Sequence, residues 1–163
     1  MTNHLHKKED VVIEKLTKEK ELSNVLFSLA ENSYTHGSPW GLAQFQESMA
    51  SPYQFYLGAF LKGECVGFLS YIEIAKEIDI HHLVVKNEAQ KKGIGRKLLT
   101  FSIQDAFSRG VDAIVLEVRP SNVPAHTLYK KMNFKEIGRR KSYYHYPTED
   151  GIIMKLENAQ LEE

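Results

Sequence analysis

The stretch Gln90-Lys91-Lys92-Gly93-Ile94-Gly95-Arg96 lies between an apolar run that predicts a strand and an amphipathic run that predicts a helix. Apolar residues four apart along residues 94–109 mark the core-facing side of that helix. The start of a helix carries free backbone N–H groups and the positive end of the backbone dipole, and glycines let an anion approach that backbone closely. The stretch therefore predicts a site for phosphate groups.

Composition and length limit the class of protein. The 163 residues are 42% hydrophobic, and 21 basic residues balance 21 acidic ones. This length fits a single domain over 1–163, for which we expect frayed tails at 1–9 and 157–163. A neutral balance is not typical of proteins that coat nucleic acid or bind membrane surfaces. The chain has one cysteine, Cys65, and no apolar run of roughly 18 residues. We therefore expect a cytoplasmic protein that binds neither nucleic acid nor membranes.

Hydrophobic periodicity and turn residues predict an α+β fold, with one mixed sheet of six or seven strands and about four helices. The first helix is expected to run from an N-cap at Thr17 to about Asn32 and to bury Leu22, Val25, Leu26 and Leu29. Strands within 54–85 predict an antiparallel meander with a turn at Lys62-Gly63. Residues 80–118 predict a parallel strand–helix–strand crossover, and the last two strands predict a hairpin.

Three kinds of phosphate site are compatible with glycines before a helix. A P-loop needs four residues between its glycines and a following Lys-Ser/Thr pair, whereas one residue separates Gly93 from Gly95. A dinucleotide site needs a third glycine where this chain has Leu98, although Glu117 lies about where its ribose-binding acid is expected. The antiparallel meander also disfavours a doubly wound fold. The glycines alone leave the ligand open.

The remaining motifs resemble the GNAT family of acetyl-CoA-dependent N-acetyltransferases over roughly residues 10–156. They are Gln90-x-x-Gly93-x-Gly95, Leu116-Glu117-Val118-Arg119-x-Ser121-Asn122 and Ala125-x-x-Leu128-Tyr129-Lys130-Lys131-x-x-Phe134. Within the family, the chain is similar to the ribosomal-protein alanine N-acetyltransferase (RimI) branch. That similarity is carried by Ser38-Pro39-Trp40, Arg140-Lys141-Ser142-Tyr143-Tyr144 and Glu149-Asp150-Gly151-Ile152-Ile153-Met154. The chain departs from the branch at His82, Asn133 and Gly151, where the branch often has Asn, Gly and Ala.

The resemblance implies a GNAT fold, acetyl-CoA as the acetyl donor and a set of site residues. It assigns cofactor contacts to Leu83, Val84, Val85, Gln90, Lys91, Lys92, Gly93, Ile94, Gly95, Arg96 and Asn122. It also makes Glu117 the general base and Tyr129 the general acid. From the residues alone, Glu117 is equally compatible with a salt-bridged strand end, Tyr129 with a core aromatic and Asn122 with a helix N-cap.

The acceptor is expected to bind around Trp40, His82, Tyr143 and Tyr144. Because side chains alternate along a strand, at most one of the two tyrosines is expected to point into the cleft. For the same reason His81 and His82 are expected on opposite faces, so we expect no metal site. The resemblance implies an N-terminal alanine of a ribosomal protein as the acceptor, and a monomer or homodimer. The alternatives are a small amine, a lysine, or a non-catalytic module that binds acyl-CoA.

Overall fold

A computed structural model describes residues 10–159, and these residues form a seven-stranded sheet with four helices. The strands are β1 (Val12–Lys15), β2 (Gln54–Leu61), β3 (Glu64–Ile74), β4 (Glu77–Val85), β5 (Ala113–Val118), β6 (Lys135–Tyr144) and β7 (Glu149–Glu157). The helices are α1 (Lys20–Ser33), α2 (Leu42–Ser48), α3 (Ile94–Ser108) and α4 (Val123–Lys131). None of the helices in this range is long and apolar enough to cross a membrane.

The strand order is β1-β2-β3-β4-β5-β7-β6, and β4 and β5 are the parallel pair among the described residues. Strands β1 to β4 run antiparallel to one another in sequence order, and α3 connects β4 to β5. Strand β7 lies between β5 and β6. The predicted mixed sheet, meander, crossover and final hairpin are therefore confirmed.

Residues with a left-handed backbone conformation lie where the sequence predicted turns and helix ends. Lys62 and Gly63 both have positive φ, 50° and 79°, as the tight turn between β2 and β3 requires. Gly110 follows α3 with φ 83°, and Asn133 follows α4 with φ 70°. Each of these turns reverses the chain within a few residues.

Two expectations for α1 are wrong. The helix begins at Lys20, one residue after Glu19, and not near Thr17. Residues just before it still follow the sheet, because the backbone N–H of Leu16 donates to the carbonyl of Tyr56. The buried face also differs, since Ser23, Leu26 and Ala30 are buried while Val25 is 44% exposed.

The expected fraying at the C-terminal end is also wrong for its first residues. Glu157 ends β7 opposite Ala113. The buried Asn158 donates from Nδ2 to the carbonyl of Val111 at 3.0 Å, and its backbone N–H donates to Asp112 at 2.8 Å. Residues 1–9 and 160–163, which were also expected to fray, lie outside the described residues.

The sheet separates two apolar cores. Ile80 of β4 and Leu116 of β5 pack with α3 and α4, whereas Val84 packs with Phe45 and Phe68 under α1 and α2. Regular alternation would place Ile80 and Val84 on one face. A bulge in the β3–β4 pairing, where His82 lies opposite Ser70 and Ile80 opposite Tyr71, adds one residue and reverses the faces.

A polar pair lies inside the second core. The Oγ of Ser70 is 2.6 Å from Nδ1 of His82, and the His82 side chain is 1% exposed. Its ring centroid is 5.1 Å from that of Phe45 and 5.7 Å from that of Phe68. Burial among these rings lowers the pKa of His82 to about 3, and the neighbouring His81 acts in the same direction. The imidazole is therefore neutral at neutral pH.

This burial predicts an acid-sensitive fold. In the unfolded chain a histidine titrates near ~6.5, so the unfolded state binds a proton below that pH. In the folded protein His82 stays unprotonated until the pH falls to about 3. Stability is therefore lost as the pH falls from 6.5 towards 3, by about 2 kcal/mol between pH 7 and pH 5. The substitution His82→Asn removes this component, which urea denaturation at both pH values measures.

The matched control is His36→Asn, because His36 lies exposed in the loop after α1. That variant should keep the wild-type loss of stability on acidification. If His82→Asn also keeps the full loss, the imidazole is not held neutral by the core.

Candidate active site

The site is built where β4 separates from β5. The parallel pairing covers four residue pairs and ends at Ile80 opposite Leu116. Strand β4 continues to Val85, still paired with β3 through Gly67. One edge of residues 81–85 therefore faces a gap rather than a strand, so its backbone groups have no strand partner and a ligand could hydrogen-bond to them.

Hydrogen bonding along the ladder tells which residues face the gap. The N–H of Lys86 donates to Val66 of β3, and partners alternate along an antiparallel strand. Val84 therefore turns its backbone towards β3, whereas Leu83 and Val85 turn theirs towards the gap. Val84 was predicted to contact the cofactor, but its side chain is buried in the second core and its backbone is occupied.

The glycine junction closes one end of the gap. Gly93 is the N-cap residue of α3, with φ 77°, and a Cβ placed there would meet no other atom within 4 Å. A Cβ on Gly95 would point towards Val85 and Leu128, at 3.7 and 3.9 Å from their methyl groups. The first backbone bond of α3 runs from Lys97 to Gly93, so the N–H groups of Ile94, Gly95 and Arg96 precede it.

Positive charge surrounds these N–H groups. Lys91, Lys92 and Arg96 are exposed at the start of α3, whereas the side chain of Ile94 is buried and can contribute only its backbone. Cations and free N–H groups at a helix start favour a multiply charged anion. The geometry fits the phosphate site that the sequence predicts.

Two predicted ligand contacts are engaged within the protein. The Nε2 of Gln90 donates to the carbonyl of Val85 at 2.9 Å and to Oδ1 of Asn87 at 3.1 Å. The Oδ1 of Asn122 accepts from the N–H of Ala125 at 3.3 Å and caps α4. Gln90 thus holds the end of β4, and Asn122 has the capping role that its position also predicted.

Glu117 is the first residue of β5 after the parallel pairing ends. Its Oε1 lies 2.9 Å from Nε of Arg140 on β6, and the hydroxyl of Tyr143 donates to the same carboxylate. The Glu117 side chain is 19% exposed. The carboxylate is therefore oriented by two groups of the final hairpin and still reaches solvent.

Tyr143 and Tyr144 lie on the same side, so the expectation that they alternate is wrong. Their ring centroids are 5.0 Å apart at 83°, and Glu117 opposes the ionisation of both. The reason is an irregularity between Arg140 and Tyr144, where Ser142 has φ 51° and breaks the alternation. Both aromatic rings are thus available to one wall.

Three buried phenols are electrostatically coupled. The ring of Tyr129 is buried, 6% exposed, and packs 5.9 Å from Phe134, as a core aromatic would. Ionisation of Tyr129 or Tyr144 would nevertheless oppose ionisation of Tyr34, and ionisation of Tyr144 would oppose that of Tyr129. Burial is the main cause that raises the pKa of Tyr34 and Tyr129, and it raises that of Tyr144 to about 12.

Trp40 contacts both histidines of β4. Its ring centroid is 5.3 Å from that of His81 and 4.7 Å from that of His82. The prediction that the two imidazoles lie on opposite faces is wrong, because the bulge in β4 interrupts the alternation. The Nδ1 of His81 and Nε2 of His82 are buried without a hydrogen-bond partner among the described residues.

Sequence reasoning missed Tyr34 and Arg140 as site residues. Tyr34 follows the last residue of α1 and hydrogen-bonds to the backbone of Leu83, and Arg140 comes from a hairpin distant in sequence. The glycine and glutamate motifs give no signal for either. Arg140 belongs to the basic run 139–141, which is usually a solvated strand face.

Comparison with known proteins agrees with this geometry. The model of the acetyltransferase (GNAT) family matches residues 20–134. N-alpha-acetyltransferase RimI of Mycobacterium tuberculosis is 33% identical over 125 residues, which cover 74% of this chain and 77% of that protein. The ribosomal protein bS18-alanine N-acetyltransferase of Escherichia coli is 34% identical over 126 residues, covering 74% and 82%.

A solved structure is similar over a larger share of the chain. The crystal structure of the ribosomal-protein-S18-alanine N-acetyltransferase from Escherichia coli superposes with a TM-score of 0.82, at 26% identity, and covers 91% of this chain and 94% of that one. The resemblance predicted from the motifs is thereby confirmed, as is the fold. The chain belongs to the GNAT family and is an acetyl-CoA-dependent N-acetyltransferase.

Proposed function

We propose that the enzyme acetylates the N-terminal α-amine of a protein, with the N-terminal alanine of a ribosomal protein as its acceptor. Two relatives above 30% identity, those of Mycobacterium tuberculosis and Escherichia coli, carry names for N-terminal acetylation, which supports the acceptor class. The observation that carries the proposal is the position of Glu117, one residue beyond the last β4–β5 pair, where β4 continues towards Leu83 without β5. A carboxylate and backbone groups without a strand partner at one gap suit acyl transfer to an amine.

The substrate acetyl-CoA fits the gap and its glycine end. The backbone N–H groups of Gly93 to Arg96 would hold the pyrophosphate, and Lys91 and Lys92 would add positive charge. The open edge of Leu83 and Val85 would pair with the amide groups of the pantetheine arm, as an added strand does. Gln90 and Asn122 would make further contacts at the two ends of this arm. Gln90 would contribute indirectly, because its side chain holds the end of β4.

Glu117 is the proposed base, directly or through a water molecule. An N-terminal α-amine has a pKa near ~8 and is partly neutral at physiological pH, whereas a lysine amine near ~10.4 is not. A carboxylate that is oriented by Arg140 and Tyr143 and still reaches solvent is sufficient for the first class. This difference favours α-amines as acceptors.

Tyr129 is the proposed acid. Burial raises its pKa above the usual value near ~10, so the hydroxyl stays protonated throughout the physiological range. A thiol has a lower pKa, near ~8.5, so the phenol can donate its proton only when it is held against the sulfur as negative charge develops there. Its packing among core aromatics supports this role, because it would hold the hydroxyl in one position.

The acceptor groove is proposed to lie between Trp40 and the Tyr143–Tyr144 pair. His82 supports Trp40 from below, since its buried ring meets the indole edge-on at 4.7 Å. The tyrosines form the opposite wall beside Glu117. Rings on two sides suit the short apolar side chain of a terminal alanine.

The cofactor site is tested by substitution of glycine in the left-handed region. A leucine at Gly93 would project beside the free N–H groups, so Gly93→Leu should weaken binding of CoA at least ~10-fold by calorimetry. Gly110→Leu is a matched control, because Gly110 has nearly the same φ and equally open surroundings at the other end of α3. Both variants should lose similar stability, and normal affinity in Gly93→Leu would place the pyrophosphate elsewhere.

The catalytic assignment predicts that Glu117→Gln and Tyr129→Phe each lower kcat by about 100-fold and leave the Kd for acetyl-CoA nearly unchanged. The reason is that both groups act on protons in the transition state. Release of free CoA thiol measures the rate. The control Glu14→Gln changes an exposed carboxylate on the distant strand β1 and should be silent. Unchanged turnover in both site variants would remove this mechanism.

The acceptor class is tested by competition. Equal amounts of peptides with free N-terminal alanine, N-terminally blocked lysine peptides and polyamines are incubated with enzyme and acetyl-CoA, and acetylation is followed by mass spectrometry. We expect the α-amine of alanine peptides to react at least ~10-fold faster than the others. Preferred acetylation of lysine or polyamine would identify a GNAT with another acceptor, and binding of acetyl-CoA without transfer would identify a non-catalytic module.

A further inference from the structure

Tyr34 is held in place from two directions. As the residue that ends α1, it donates its backbone N–H to the carbonyl of Ala30 at 3.1 Å and accepts from the N–H of Gly37 at 3.1 Å. Its ring packs against the second core, with its centroid 6.5 Å from that of His82. The phenol therefore has a fixed approach to the sheet.

The Tyr34 hydroxyl meets the gap at Leu83. The phenol oxygen accepts a hydrogen bond from the backbone of Leu83, one of the two residues whose N–H faces away from β3. The phenols of Tyr129 and Tyr144 are coupled to it, because ionisation of either would oppose ionisation of Tyr34. Burial raises the pKa of Tyr34, so its O–H remains a donor at every physiological pH.

We propose that the Tyr34 hydroxyl is a second hydrogen-bond donor to the acetyl carbonyl oxygen of acetyl-CoA, together with the backbone N–H of Leu83. A carbonyl oxygen that accepts from the Leu83 N–H must lie next to the phenol that now accepts from it. The phenol then changes from acceptor to donor with a small displacement. This proposal rests on the placement of the thioester at the Leu83 edge described under the proposed function.

The place where this donor acts follows from the bonds that form and break during acetyl transfer. The amine nitrogen forms a bond to the carbonyl carbon, and the C=O pair moves onto oxygen, where Tyr34 O–H and Leu83 N–H hold the negative charge. The pair then returns, the C–S bond breaks, and the sulfur keeps the bonding electrons. Glu117 takes one proton from the amine, and the sulfur receives one from Tyr129. Glu117 then releases its proton to solvent, and Tyr129 takes one up from solvent, which restores both groups. Tyr34 itself transfers no proton.

A different role for Tyr34 makes an opposite prediction. If the phenol only blocked the Leu83 N–H, its removal would free that N–H and tighten the binding of acetyl-CoA. A donor to the oxyanion instead contributes in the transition state, so its loss lowers kcat and leaves affinity nearly unchanged. The two roles therefore differ in their effect on Kd, which falls when a block is removed and stays nearly constant when a transition-state donor is removed.

The test is Tyr34→Phe, which keeps the ring and the backbone bonds that end α1. We expect kcat to fall about 100-fold with the Kd for acetyl-CoA within threefold of the wild type. Isotope-edited infrared spectroscopy of bound acetyl-CoA, labelled with ¹³C at the carbonyl, provides a readout that needs no acceptor. Hydrogen bonds lower the carbonyl stretching frequency, so the band should move up in Tyr34→Phe towards that of free acetyl-CoA.

Matched variants separate the possible failures. Tyr53→Phe removes a phenol that is exposed before β2, and it should change neither the rate nor the band. Glu117→Gln should lower kcat and leave the band in place, and a silent Glu117→Gln would refute the proposed base while the Tyr34 result still stands. An unchanged band in Tyr34→Phe, or tighter binding with unchanged kcat, would overturn the role of Tyr34.

Discussion

The early end of the β4–β5 pairing is the constraint on which the site depends. Four parallel pairs join the two strands, and β4 then continues beside β3 alone. Backbone N–H and C=O groups that leave a ladder must find other partners, because an unpaired buried polar group is costly. In this structure Gln90 occupies the carbonyl of Val85, and Tyr34 occupies the N–H of Leu83. These are groups that a substrate with its own amides can replace at little net cost.

The bulge in β4 links this edge to the acceptor side. By reversing the faces of the strand, it turns His82 and Val84 into the core under α1 and α2, and it brings His81 next to Trp40. A buried histidine that is neutral and bonded to Ser70 can lie among aromatic rings without an unpaired charge. The loop that carries Trp40 therefore contacts the same strand whose edge is proposed to bind the cofactor.

The sequence predicted those parts of the molecule that follow from local patterns. Periodicity and turn glycines gave the meander, the crossover and the ends of α3 and α4, because these features depend on neighbouring residues. The errors lie where a distant contact overrides a local rule. Thr17 is a good N-cap by type, but the chain there still follows β2, and the alternation of Tyr143 and Tyr144 is broken by one left-handed serine. Tyr34 has no motif, since its role depends on where α1 ends relative to β4.

In the proposed site the two substrates are recognised by different kinds of groups, and this difference explains what sequence can reveal about each. The cofactor would meet backbone N–H groups at Gly93 to Arg96 and along the edge of Leu83, which any sequence can supply once the glycines allow access. The acceptor would meet side chains from separate elements, among them Trp40 and Tyr143, whose positions are set by loops and an irregular hairpin. Motifs therefore identify acetyl-CoA readily, whereas the choice of amine depends on tertiary positions that motifs do not encode. A relative that keeps the glycine junction and repacks the Trp40 loop would retain the cofactor and change its acceptor.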